Sequence, residues 1–255
     1  MLDYTTPAKC AAQLHAGTAD LGLIPIAALT PALAGVPGCT IASLSEVRSI
    51  LLLVKNPCGL AVSEALTQVR TIAADAASRS SNAYAHIIFE KFHHTRPSFV
   101  EQPADPLAML ADADAALLIG DPALLARERR KEIDDAYSNL LWRDVASLWR
   151  EHTALPWVAA VWAVRPEALG EISARQLVDD LTTSRDQGLA HIEQLVAEWT
   201  PRLPLSAETI RTYLTRNIYY KLDEDCLRAI ALFRQLAAEI GILPPLPTLN
   251  HLLNT

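Results

Sequence analysis

Five short and almost wholly apolar segments constrain the fold of this chain more than any other feature. They are residues 20–24, 49–54, 69–74, 113–119 and 156–164. Continuous apolar runs of this length predict strands that are buried on both faces. Helical patterns separate several of the runs, so the sequence predicts an α/β fold with a mostly parallel sheet.

The pattern changes after Pro166. Residues 174–199, 207–218 and 224–240 space their apolar side chains at helical intervals and contain no strand pattern. We therefore expect a helical C-terminal segment.

Two predicted strands built on these runs, at 48–55 and 157–165, bracket a self-contained β-α-β stretch. A chain that leaves one lobe, builds a second and then returns forms a cleft with two crossings. Such clefts bind small ligands where strands end and helix N-termini point free N–H groups inward. We predict one lobe from residues 1–53 and 161–255 and another from residues 54–160, with one broad sheet as the alternative.

Composition excludes several classes of partner. The formal net charge of −7, without a long basic run, argues against nucleic acid as the main partner. The longest purely aliphatic stretch falls far short of the ~20 residues that span a bilayer, and the first ten residues carry no secretory signal. We expect a cytoplasmic protein with no membrane partner. The sequence does not decide its oligomeric state.

No metal or cofactor is predicted. The four cysteines lie far apart in the sequence, and the histidines form no metal-binding motif. Glycine-rich nucleotide loops and the Gly-x-Ser-x-Gly motif are also missing from the sequence.

The best candidate site is the group Ser78, Arg79, Ser80 and Ser81, which follows a predicted strand and opens a helix. Hydroxyl groups and free backbone N–H groups at a helix N-terminus favour a carboxylate or a phosphate. Ordinary N-capping is the alternative, and it needs only one such residue.

Two further candidates lie at strand ends. Arg48 begins an apolar run, where it can clamp a carboxylate or make a structural ion pair. Gly120 and Asp121 close another run, where Gly120 lets backbone approach a ligand. Asp121 can accept a proton or simply cap the next helix.

Five stretches in a fixed order resemble the chorismate dehydratases of menaquinone biosynthesis (the MqnA family). They are Ala-Asp-Leu-Gly-Leu-Ile-Pro at 19–25, Glu-Val-Arg-Ser-Ile-Leu-Leu at 46–52, Ala-Asp at 74–75 with Ser-Arg-Ser-Ser at 78–81, Ala-Ala-Leu-Leu-Ile-Gly-Asp-Pro-Ala-Leu at 115–124, and 155–163, which begins Leu-Pro-Trp-Val. The resemblance covers residues 7–241. Ser80 stands where threonine is common in the family, and Ala154 and Trp157 stand where glycine and phenylalanine are usual.

The resemblance implies a two-lobed fold similar to type II periplasmic binding proteins, with a ligand cleft between the lobes. It also implies conversion of chorismate to 3-[(1-carboxyvinyl)oxy]benzoate without metal or redox cofactor. Ser78, Ser80 and Ser81 are expected to hold a carboxylate of the substrate. Arg48, Gly120 and Asp121 are expected at the cleft, with Asp121 as the catalytic candidate.

One departure from the family concerns the start of the chain. Family members open with a strand and a Ser-Tyr-Leu-Asn type loop, whereas this sequence starts with Met-Leu-Asp-Tyr. We expect the first lobe to be incomplete there. A catalytically inactive protein that binds small carboxylates with the same fold is therefore the alternative function. A solute-binding protein of a transporter is disfavoured, because no secretory signal opens the sequence.

Overall fold

The computed structural model describes residues 2–75, 79–246 and 252, and all structural statements concern these residues. Its strands are β1 (Leu21–Pro25), β2 (Ala34–Ser43), β3 (Ile50–Lys55), β4 (Thr71–Ala74), β5 (Ser98–Glu101), β6 (Ala115–Ile119), β7 (Leu140–Asp144) and β8 (Trp157–Val164). All five predicted strands are present, and their bounds differ from the prediction by no more than two residues.

The helices are α1 (Pro7–Ala16), α2 (Val62–Gln68), α3 (Arg79–Ile87), α4 (Pro106–Asp112), α5 (Asp121–Glu128), α6 (Arg130–Ala136), α7 (Val145–Thr153), α8 (Ala174–Ala190), α9 (Ile192–Trp199), α10 (Ala207–Thr212) and α11 (Glu224–Glu239). Short π-helical turns follow α3 and α10, at Ile88–Phe92 and Tyr213–Asn217. None of the helices in the described ranges combines the length and apolarity that crossing a membrane requires.

The strands form two sheets. The first has the order β1-β8-β2 and is antiparallel throughout. The second has the order β5-β4-β6-β3-β7, in which β4 is parallel to β5 and β6, whereas β3 is antiparallel to β6 and β7. The prediction of a mostly parallel sheet was therefore wrong. An apolar run reports burial on both faces, and burial does not determine strand direction.

Strand β3 shows why the apolar runs identified strands correctly. Its residues Ile50, Leu52 and Val54 belong to the large core cluster, whereas Leu51 and Leu53 belong to a second cluster on the opposite face. Successive side chains of a strand point to opposite faces. Every position of β3 except the last is consequently buried, which produces a continuous aliphatic sequence.

The chain crosses between the two sheets twice, at residues 44–49 and 154–156. Strand β3 pairs only in the second sheet and β8 only in the first, so we propose that the lobe boundaries lie at these crossings. The predicted division at 53/54 and 160/161 stays a prediction. The C-terminal segment is helical as predicted: α8 packs on the first sheet, and α11 packs on α3 and β8.

A buried carboxylate organises the first crossing. Asp144 ends β7, and its side chain accepts hydrogen bonds from five donors: the backbone N–H groups of Val47, Arg48, Ala146 and Ser147 and the guanidinium of Arg127. Arg127 also pairs with Glu46 and donates to the carbonyl of Arg48. Burial raises the pKa of Asp144, and the N–H groups and Arg127 oppose that rise. One side chain thus caps α7 and fixes the chain just before β3.

Substitution of Asp144 tests this arrangement. We expect Asp144→Asn to lower the free energy of unfolding by about 2–4 kcal/mol, because an amide offers one acceptor oxygen where buried donors need two. Chemical denaturation measures the change. The control is Asp179→Asn on the exposed face of α8, where a change below about 0.5 kcal/mol is expected. Equal effects of the two substitutions would contradict the structural role of Asp144.

Two histidine rings meet where the π-helical turn at Ile88–Phe92 approaches α7. The rings of His93 and His152 lie edge to face with centroids 5.2 Å apart, and His152 stacks on Phe92. The buried Nε2 atom of His93 has no hydrogen-bond partner among the described residues. Burial lowers the pKa of His93, and the nearby His152 and His94 lower it further.

This shift predicts a loss of stability in acid. The pKa of His93 in the folded state lies below its usual value of 6.5, so the unfolded chain binds the proton first as the pH falls. Neutral His93 contributes its full stabilisation of the fold above pH 6.5. This contribution declines as the pH falls from 6.5 to the pKa of His93 in the folded state. We expect the melting temperature of His93→Gln to fall less than that of the parent between about pH 7 and pH 5. The exposed control His191→Asn should retain the full decline.

Candidate functional site

A cavity of about 370 Å³ lies between the two sheets, at the level of the chain crossings. Its volume falls within the range of about 300–1,000 Å³ that is typical of small-molecule sites. The first sheet contributes Leu23, Pro25, Ile41, Trp157, Ala159 and Ala160. The crossing at 44–49, strand β3, helix α3 and the end of β6 contribute Val47, Ser49, Ile50, Ser80, Ser81, Ile119 and Gly120, and Pro7, Tyr213 and Ile218 complete the wall.

A second cavity of about 280 Å³ lies between the first sheet and helices α8 and α9. It shares Leu23 and Ile41 with the first cavity. Only the first cavity is lined by both sheets and by the N-terminal turn of α3, so we take it as the candidate site.

Ser80 and Ser81 occupy the first turn of α3, and both are 2% exposed. The Ser80 Oγ atom accepts a hydrogen bond from the backbone N–H of Ala27 at 3.3 Å. Since Ala27 follows the last residues of β1, this bond joins α3 to the end of a strand of the first sheet. The helix dipole favours an anion at the N-terminal end of α3.

Tyr84 fixes the position of α3 against the first sheet. Its hydroxyl donates to the carbonyl of Val158 and accepts from the N–H of the same residue. Its ring packs against Trp149, Trp157 and Phe233 at centroid distances of 4.9, 5.7 and 4.4 Å. Burial raises the pKa of Tyr84, so the phenol stays protonated and holds the serine-bearing turn in place.

Gly120 and Ser49 lie side by side where β6 ends and β3 begins. The N–H of Gly120 donates to the carbonyl of Ser49 at 2.7 Å. Gly120 has a φ of +69°, and a Cβ atom placed on it would meet nothing within 4 Å. Glycine is therefore required by the backbone conformation and not by close packing.

Tyr213, in the π-helical turn that follows α10, contacts Ser49 from the C-terminal helical segment. Its hydroxyl donates to Ser49 Oγ at 3.0 Å. Burial raises the pKa of Tyr213, the bond to Ser49 opposes the rise, and the charge of Asp121 adds to it. The Tyr213 hydroxyl therefore stays protonated at neutral pH.

Trp157 lines the cavity and is 2% exposed. Its indole N–H is buried and has no hydrogen-bond partner among the described residues. A buried donor without an acceptor is costly, so such donors are uncommon in folded proteins. The hydroxyl groups of Ser49, Ser80, Ser81 and Tyr213 also line the cavity, and they make it suited to an oxygen-rich molecule.

The structure places some of the predicted site residues at the cavity and others away from it. Ser80, Ser81 and Gly120 line the cavity, whereas Arg48 and Asp121 do not. Asp121 is exposed at the start of α5. Arg48 has a φ of +65°, and its Nε atom is buried without a hydrogen-bond partner among the described residues. Ser78 lies outside the described residues. The functional roles of these residues stay predictions.

Three lining residues with hydrogen-bonding side chains were not predicted as site residues: Ser49, Tyr213 and Trp157. Ser49 stands beside Arg48 in a stretch that the prediction used, and a polar residue that opens an aliphatic strand is a usable signal. Trp157 lies in the run 156–164 that predicted a buried strand, and it packs in the core, but it also lines the cavity. Tyr213 gave no signal, because only the folded chain brings the C-terminal helices over the crossing.

The conformation of Gly120 predicts that alanine substitution changes the free energy of unfolding in opposite directions at Gly120 and Gly188. We expect Gly120→Ala to lower the free energy of unfolding by about 1–2 kcal/mol, because alanine is strained at positive φ. Gly188→Ala, inside α8 and also free of close neighbours, should raise it by up to about 1 kcal/mol. Denaturant unfolding measures both, and a stabilising Gly120→Ala would contradict the assigned backbone conformation.

Comparison with known proteins gives a family match over nearly the whole chain. The model of the family described as menaquinone biosynthesis (VitK2_biosynth) matches residues 2–239. Chorismate dehydratase from Thermus thermophilus is 30% identical to this chain over 126 residues. That alignment covers 46% of this chain and 45% of the relative, so the chain matches slightly less than half of the length of this relative.

Solved structures with similar folds include protein AF1704 from Archaeoglobus fulgidus, with a TM-score of 0.68 and 15% identity over 94% of this chain and 86% of that chain. The periplasmic aliphatic sulphonate binding protein SsuA from Escherichia coli has a TM-score of 0.63 and 17% identity, with coverages of 95% and 78%. The alkanesulfonate-binding protein SsuA from Xanthomonas axonopodis, bound to MOPS, has a TM-score of 0.63 and 16% identity, with coverages of 98% and 84%. These similarities concern the fold alone, and they confirm the predicted α/β fold of the periplasmic-binding-protein type.

Proposed function

The chain belongs to the menaquinone-biosynthesis family, and from this premise we propose that it is a carbon–oxygen lyase that dehydrates chorismate. The product is 3-[(1-carboxyvinyl)oxy]benzoate, in the futalosine route to menaquinone. The similarity to a curated chorismate dehydratase supports this reaction over other chemistry on a small carboxylate.

The observation that carries the proposal is the set of hydrogen-bonding groups in the interlobe cavity. Four hydroxyl groups, those of Ser49, Ser80, Ser81 and Tyr213, line a wall that is otherwise formed by apolar side chains, the indole of Trp157 and the backbone of Gly120. Chorismate has two carboxylates, a hydroxyl group and an ether oxygen on a small unsaturated ring. A mainly apolar cavity with a few positioned donors is the kind of site that fixes the orientation of such a molecule.

We place one carboxylate of chorismate at the N-terminal turn of α3. The hydroxyl groups of Ser80 and Ser81 would donate to it, and the dipole of the helix would stabilise its charge. Arg48 stays our candidate for the second carboxylate. It lies next to Ser49, and the buried Nε atom of its guanidinium has no described partner. Binding at two points would hold the ring in one orientation for elimination.

The dehydration removes one ring proton and the ring hydroxyl as water, and the ring becomes aromatic. Among the described residues, no Asp, Glu, His, Lys or Arg side chain lines the cavity. This lining favours the enolpyruvyl carboxylate of the substrate as the proton acceptor. Asp121, exposed at the start of α5, is the alternative acceptor.

The proposal is tested by steady-state consumption of chorismate, with the product identified by proton NMR. Formation of the aromatic enol ether supports it. A folded protein whose melting temperature rises with chorismate, but which forms no product, would instead be the inactive carboxylate-binding protein of the same fold.

The serine-bearing turn gives a specific prediction. We expect Ser80→Ala to lower kcat/KM for chorismate about tenfold, since it removes one hydrogen bond worth about 1.4 kcal/mol in an enclosed site. Ser138→Ala, on an exposed turn, is the matched control and should leave kcat/KM unchanged. If Ser80→Ala matches the parent protein, the carboxylate does not bind at α3.

A further inference from the structure

Ser49 is held by two hydrogen bonds at the edge of the cavity. The N–H of Gly120 fixes its carbonyl, and the Tyr213 hydroxyl donates to its Oγ atom at 3.0 Å. Its side chain donates to no residue that the structure describes, although Ser49 is only 6% exposed. Because the hydrogen of Tyr213 lies between the two oxygens, the hydrogen of Ser49 points elsewhere. The cavity that Ser49 lines is the space available to an acceptor.

The π-helical turn Tyr213–Asn217 anchors Tyr213 against the crossing at residues 44–49. Asn217, four residues later, donates through its side-chain amide to the carbonyl of Glu46 at 3.0 Å. The two ends of the turn Tyr213–Asn217 therefore both bind to residues 46–49. Single π-helical turns are rare and occur frequently at functional sites.

From this geometry we propose that Ser49 and Tyr213 form a two-hydroxyl proton relay that delivers a proton to the hydroxyl group leaving the substrate. The inference rests on the proposed dehydration and assigns its acid half. Ser49 is the catalytic residue, since it touches the substrate. Tyr213 is a positioning residue. It also donates a proton to Ser49 after Ser49 has given its own proton to the substrate.

The atoms and electrons of the step balance without a further reactant. The ring C–H bond breaks, its proton goes to the accepting carboxylate, and its electron pair enters the ring as a π bond. The ring C–O bond breaks with its electron pair on oxygen. That oxygen takes the proton of Ser49, and Ser49 takes the proton of Tyr213, so water leaves. The carboxylic acid then returns its proton to the Tyr213 phenolate through solvent, and the enzyme is restored.

The other hydroxyl groups of the cavity are less suited to this role. Ser80 and Ser81 stand at a helix N-terminus, which favours a bound anion, so in the proposed complex their hydroxyl groups donate to the substrate carboxylate. No second hydroxyl donates to Ser80 among the described residues, since its bond comes from the N–H of Ala27. Ser49 is supported by a phenol, which is a far stronger acid than water and can supply the proton.

The test combines single and double substitutions in the full chain, with chorismate as substrate. We expect Ser49→Ala to lower kcat about 100-fold and Tyr213→Phe at least about tenfold, with KM changed less than about threefold, because general acid catalysis contributes ~10²–10⁴-fold. The double variant should match Ser49→Ala within about twofold, since Tyr213 acts only through Ser49. Ser49→Thr keeps the hydroxyl and should recover activity relative to Ser49→Ala.

Controls separate this inference from the proposed function and from loss of folding. Tyr220→Phe removes a partly buried hydroxyl group that donates to the carbonyl of Leu214. Tyr220 does not line the cavity between the two sheets, so this variant should keep the parent kcat. Thermal unfolding with and without chorismate verifies that each variant folds and binds. A parent protein that forms no product overturns the proposed function and the relay with it. If the parent protein is active, two results overturn the relay alone. In the first, the Ser49 and Tyr213 variants keep the parent kcat. In the second, the kcat losses of the two single variants multiply in the double variant.

Discussion

The arrangement of the cleft depends on one carboxylate, that of Asp144. It accepts four backbone N–H groups and one guanidinium group, and these donors come from two chain segments and from α5. The crossing at 44–49 is held by it on one side and by Tyr213 and Asn217 on the other. Ser49, Gly120 and the π-helical turn therefore meet at one corner. The carboxylate is costly to bury, as its raised pKa indicates, but removing it would leave buried donors without an acceptor.

Much of the architecture could be predicted from the sequence, because the strands buried on both faces are continuous in apolar residues. Strands β2, β5 and β7 were missed for physical reasons. Strand β2 contains Gly35, Pro37 and Gly38 and pairs with shifts in register, whereas β5 is largely exposed and β7 only half-buried. Strand direction was missed as well, because it is set by the connections and by pairing partners, and an apolar run contains neither.

The candidate site was only partly predictable, for a related reason. Ser80, Ser81 and Gly120 lie at element ends, where local sequence signals exist, and they line the cavity. Tyr213 reaches the cavity from a segment 164 residues away from its partner Ser49, and no local pattern announces such a contact. Asp144 gave no signal of its importance either, since its role arises from donors in the crossing at 44–49, in α5 and in α7 together. Roles that depend on distant partners require the folded chain.

The central claim is that the protein dehydrates chorismate in the cavity between the two sheets. The most direct measurement incubates chorismate with an excess of the purified chain and follows the mass of the small molecule, so that even slow turnover is seen. We expect conversion to a species lighter by one water, at a rate that Ser49→Ala decreases. Unchanged chorismate, in the presence of folded protein whose melting temperature it raises, would contradict the account and leave a protein that only binds small carboxylates.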